Sequence, residues 1–103
     1  MDVVGWNNGS PDNRTGAGYG IRISKDDRKK YFKEEWTNVI VDIEGEVTLT
    51  ANLTNSFWKK CSELRSSIIG NWMIDKKLAP WAKGKPPKMK LYPLGNNRFR
   101  LKY

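Results

Sequence analysis

The sequence predicts an α+β domain of mostly antiparallel strands interspersed with short helices, and three observations predict it. Residues 38–52 alternate apolar and polar side chains on either side of Glu44-Gly45, the period of two half-buried strands joined by a tight turn. Residues 88–92 and 98–103 alternate again, with Met89, Leu91, Phe99, Leu101 and Tyr103 set between Lys88, Lys90, Arg98, Arg100 and Lys102. Between and before these hairpins lie segments that carry helix caps but have room for only a few turns. A chain of 103 residues is one domain with one core. Five Trp, four Tyr and three Phe supply its rings, each able to bury about 150–250 Å², so the tryptophans are read mainly as core.

In chain order, residues 1–18 are rich in Gly, Asn, Ser and Pro and are expected to form a flexible N-terminal arm before a single domain over 19–103. Gly16, Gly18 and Gly20 lack the spacing of a phosphate loop and are read as sites of close backbone approach or irregular strand entry. Tyr19 to Ile23 reads as the first strand. Ser24 then caps a helix from Lys25 to about Phe32, with Asp26 and Asp27 suited to its N-terminal dipole. The hairpin of 38–52 follows, its outer row of Thr48, Thr50 and Asn52 polar but uncharged. Asn55 or Ser56 is expected to cap a second helix on which Phe57, Cys61 and Leu64 share one face. A third helix is expected from Ile68 to Lys77, weakened by Gly70 at about 1 kcal/mol against Ala. The exposed loop Lys83-Gly84-Lys85-Pro86-Pro87-Lys88 leads into the last hairpin, which turns at Gly95-Asn96-Asn97.

Charge is segregated along the chain. The formal net charge is +8, and residues 76–103 hold seven Lys and two Arg without one Asp or Glu. Lysines alternating outward also guard ordinary edge strands, yet a merely soluble surface mixes both signs. A one-signed face with apolar residues behind it suits a polyanion.

Chemistry for catalysis is sparse. There is no His, which removes the usual general base and the commonest metal ligand. The single Cys61 has no imidazole partner and is expected in the core. Asp42, Glu44 and Glu46 are too poor a ligand set to hold Mg²⁺ for a nuclease. No metal, cofactor or membrane partner is expected, nor an enzyme. One unpaired Cys and an N-terminus without a basic-then-apolar leader point to an intracellular, reducing compartment, cytoplasmic or nuclear rather than secreted. The acceptor triplets at Asn8, Asn13 and Asn52 are then coincidental.

The order of these elements resembles a known family. A strand ending in Ile21-Arg22-Ile23-Ser24, a helix closing on Phe32, a hairpin around Gly45, a helix with Trp72 and Leu78, then Gly84 before a strand pair is similar to the DNA-binding pseudobarrel. That fold is shared by a plant transcription-factor domain and the effector domains of some restriction endonucleases. The resemblance covers about residues 19–101 and implies an open β-barrel (pseudobarrel) of about six to seven mostly antiparallel strands with two or three short helices. It also implies two strand-and-loop arms in the major groove, one at Arg22, Ser24 and Lys25, the other from Thr48 to Asn55. This second arm departs from the pattern in lacking basic residues.

The expected function is non-catalytic binding of double-stranded DNA. Lys83, Lys85, Lys88, Lys90, Arg98 and Arg100, with Arg28 and Lys25, would hold phosphates, while Arg22, Asn52 and Asn55 would reach base edges. Two alternatives stand beside it. One is RNA or single-strand binding through exposed rings such as Tyr19, Trp81 and Tyr92; the other is an interaction or inhibitor module for an acidic partner.

Overall fold

Each alternating segment becomes a strand because one of its faces is apolar, and the computed structural model, which describes residues 1–103, joins seven of them in one sheet. They are β1 (Asp2–Asn7), β2 (Tyr19–Arg22), β3 (Asn38–Ile43), β4 (Val47–Asn52), β5 (Glu63–Arg65), β6 (Lys88–Gly95) and β7 (Arg98–Lys102). Three short helices, α1 (Lys25–Tyr31), α2 (Asn55–Lys59) and α3 (Ser67–Asp75), fill the connections. The spatial order is β4-β3-β7-β6-β1-β2-β5. Every neighbouring pair is antiparallel except β3 and β7. The sheet curls until its two edges, β4 and β5, come within 8 Å of each other, Cα to Cα, without forming a ladder. The result is an α+β open barrel, pseudobarrel in shape. No helix is long and apolar enough to cross a membrane.

Alternation decides what enters the barrel. Val39, Val41 and Ile43 of β3, Leu49 and Ala51 of β4, Met89 and Leu91 of β6, and Phe99 and Leu101 of β7 are all buried. Phe32, at the end of α1, stacks on Phe99 with centroids 4.7 Å apart and meets Phe57 of α2 at 5.3 Å. These rings pack together in the core. Ser24 caps α1 by accepting from the Asp27 amide, as the sequence predicts. Lys77, with φ of 61°, ends α3 by letting the Leu78 amide reach back to the Met73 carbonyl, the Schellman arrangement that Gly usually supplies.

Four expectations are corrected. Residues 1–18 are no separate arm, because Asp2–Asn7 is the inner strand β1, paired with β6 on one side and β2 on the other. A short strand containing a glycine and flanked by turn residues has too little alternation to be read. The second helix is capped by Thr54 and stops at Lys59, since Leu64 is claimed by the β5–β2 ladder opposite Ile21. Cys61 is consequently exposed in the connection and not part of the core. Arg28, expected on an outer face, is buried. Its Nη1 donates to the Phe57 carbonyl at 2.9 Å and to Ser62 Oγ at 3.1 Å, tying α1 to the end of α2. Arg28→Met would strand both acceptors, and urea denaturation is expected to show a loss of about 2–4 kcal/mol.

Candidate nucleic-acid interface

The outward residues of the sheet fall into cross-strand rows set by register. One runs Thr48, Asp42, Arg100, Tyr92, a second Lys102, Lys90, Asp2, and a third Lys88, Val4, Arg22, Glu63. The last two rows border an open groove of about 750 Å³. Arg22 and Ser24 line it from the β2 side, Lys88 and Lys90 from β6, and Asp2 and Val4 from β1 between them, together with Tyr103. Residues more than sixty positions apart thus share one surface, because β1 lies between β2 and β6.

The remaining expected residues disperse around it. Lys25 is exposed at the first turn of α1, Lys83 and Lys85 are exposed in the loop before β6, and Arg98 is exposed on β7. Asn52 lines a smaller polar cleft of about 230 Å³ at the seam, together with Thr50, Thr54, Glu63 and Arg65, and Asn55 is exposed just beyond it. The two arms implied by the resemblance therefore both approach β5, which pairs with β2 on one side and faces β4 across the seam. Arg28 is excluded by burial. The basic residue at the seam that sequence reasoning missed is Arg65. Its signal is the Glu63-Leu64-Arg65 alternation, which placing Leu64 on the face of a second helix hides.

Ion pairing divides the cations further. Within residues 76–103, Lys76 is paired with Glu44, Lys90 with Asp2 and Arg100 with Asp42. Lys77, Lys83, Lys85, Lys88, Arg98 and Lys102 take part in none of the six ion pairs. Lysines without a partner lose no existing contact when they meet a phosphate. Arg100 is committed instead to structure, donating through Nε and Nη2 to Asp42 Oδ2 at 3.1 and 2.8 Å.

Two of the three acids weighed as Mg²⁺ ligands, Asp42 and Glu44, face different partners. Asp42 holds Arg100 and the Gly45 amide, while Glu44 holds Lys76 and the Tyr103 amide. No group of three His, Cys, Asp or Glu side chains converges anywhere.

These pairs predict the acid limb of stability. The Arg100 guanidinium bonded to Asp42, with the Gly45 amide, holds its carboxyl below the usual range, and Lys90 does the same for Asp2. A carboxyl depressed in the folded state stabilises fully above its unfolded value, about 3.9, and that contribution is lost as pH falls through the lower folded value. Urea midpoints are expected to stay level from pH 7 to about 5 and to decline below about 4. Asp42→Asn should flatten part of that decline; an unchanged acid limb would remove Asp42 from the account.

No protein-family model, curated protein or solved structure matches this chain.

Proposed function

We propose that the protein is a non-catalytic double-stranded DNA-binding module of the pseudobarrel type, which seats the duplex against the outer face of β1, β6 and β7 and the adjoining end of β2. One observation carries the reading. Folding gathers Arg22, Ser24, Lys88 and Lys90 onto one open groove, while Lys88, Arg98 and Lys102 remain unpaired on the same outer surface. Lysines act as mobile point charges toward phosphates and set affinity, whereas arginines and amides near the seam are suited to base edges.

The single-strand reading has less support. It needs open aromatic platforms, but Tyr19 is buried with its hydroxyl bonded to Asn13. Trp81 is half-buried against the Tyr19 ring at 5.6 Å. Of the three rings named for that role, Tyr92 alone is exposed.

Fluorescence anisotropy of a labelled duplex, its single strand and the matching RNA across a salt series tests the proposal. A duplex preference with log affinity falling by about 0.9 per phosphate contacted for each unit of log salt is expected. Absence of binding to all three at about 50 mM salt, where non-specific contacts hold, would reject it in favour of an acidic protein partner.

A further inference from the structure

Glu63 is the one buried acid, its side chain 1% exposed. Two arginines satisfy it, one on each oxygen. Arg22 Nη2 lies 3.3 Å from Oε2 and Arg65 Nη2 lies 3.0 Å from Oε1, yet the arginine side chains are 54% and 61% exposed. The guanidinium of Arg65 also sits over the Trp6 ring, 4.7 Å from its centroid, a cation–π contact that restricts its orientation further.

This arrangement differs from an ordinary ion pair in how few donors it uses. Arg100 commits both Nε and Nη2 to Asp42, whereas Arg22 and Arg65 each spend one nitrogen on Glu63. The other nitrogens of each planar fork stay available. One negative charge between two positive ones leaves the cluster cationic, so an electron-rich acceptor remains attractive to it. Position adds to this. Arg22 borders the large groove and Arg65 the seam cleft, so the pair spans the two concavities on the sheet edge.

We infer that Arg22 and Arg65 are the sequence-reading pair of the DNA interface, each fork directed at the O6 and N7 acceptors of a guanine in the major groove, with Glu63 as the positioning residue that holds both. The inference rests on the duplex-binding reading and names what that site selects. A planar fork matches the two guanine acceptors, and a fork already oriented loses less freedom on docking. Lys in its place keeps the charge and loses the bidentate geometry.

Selection of bound sequences from a randomised duplex library tests it, with the wild type, Arg65→Lys, Arg22→Lys and Glu63→Gln run in parallel. Wild-type pools are expected to carry guanine at fixed positions. In Arg65→Lys and Arg22→Lys one such position should relax, with discrimination against the other bases falling about tenfold or more. The salt slope on unselected duplex should stay unchanged. Glu63→Gln should relax both positions although both arginines remain, an outcome that loss of fold cannot mimic if the unselected duplex is still bound with the wild-type slope. Should Glu63→Gln not fold, the two Lys variants still decide the matter. Duplex binding without any fixed guanine, or Lys variants whose pools match the wild type, would overturn the inference and leave duplex binding standing. Failure to bind the library at all would overturn both.

Discussion

A double variant, Lys88→Glu with Lys102→Glu, is expected to bind duplex DNA about 100-fold more weakly than the wild type at 100 mM salt. Both side chains are exposed on neighbouring strands and neither has an ion-pair partner. Each phosphate contact releases counterions worth roughly a factor of eight at that salt concentration, and each reversal adds repulsion. The slope of log affinity against log salt should flatten by about 1.8. A control of equal charge change, Arg14→Glu with Lys77→Glu, uses one cation from the loop beyond the Asn7 end of β1 and one just past α3. It should keep the wild-type slope. Equal losses in the two variants would mean that net charge alone drives association and that the β6–β7 face is not the contact surface.

A comparably large loss of stability is expected at Gly70. A Cβ there would lie 2.1 Å from the carbonyl oxygen of Gly16, and one on Gly16, whose φ is 83°, would lie 2.4 Å from the Asn71 amide. Backbone packs directly on backbone where the loop before β2 crosses α3. Neither partner is a side chain that can rotate away, so Gly70→Ala must push the loop off the helix. Overpacking of this kind costs about 3 kcal/mol, or roughly 12 °C or more in thermal midpoint for a chain of this size. Gly45→Asn, at a turn with φ of 76° and open space around it, is the contrasting variant and should change little, since Asn tolerates the left-handed region. A Gly70→Ala protein as stable as the wild type would show that the loop is free to shift.

This contact also explains a residue that sequence reasoning counted only as a cost. Glycine inside a helix weakens it, and Gly70 does so to admit the chain of Gly16. Gly20 plays the corresponding part in the ladder, where a Cβ would lie 2.3 Å from the Leu64 carbonyl oxygen. The sequence reading of Gly16 and Gly20 as sites of close backbone approach is thus correct in kind, whereas Gly18 meets the Asn8 side chain; the partners are invisible in the sequence. Close approach is a property of two segments at once, and a single stretch of sequence carries only half of it.

The hairpins of 38–52 and 88–102, the capped helix after Ser24 and the segregation of basic residues to the last quarter were legible because each depends on local periodicity or local composition. Period-two alternation with a turn between, a hydroxyl aimed at a free amide and a run of one charge sign need no knowledge of distant residues. Tertiary pairing decided the rest. β5 is a strand because β2 offers it a free edge, against a local pattern that favoured helix continuation. Arg28 is inside because the Phe57 carbonyl at the end of α2 needed a donor. Arg22 and Arg65 share Glu63 because β2 and β5 lie side by side. Sequence by itself determined which segments could be strands and where positive charge would concentrate, since those follow from side-chain chemistry along the chain. Only the closing of the barrel decided which cations stay unpaired, which rings are covered and which arginines meet, because these depend on what curvature brings across from the other side.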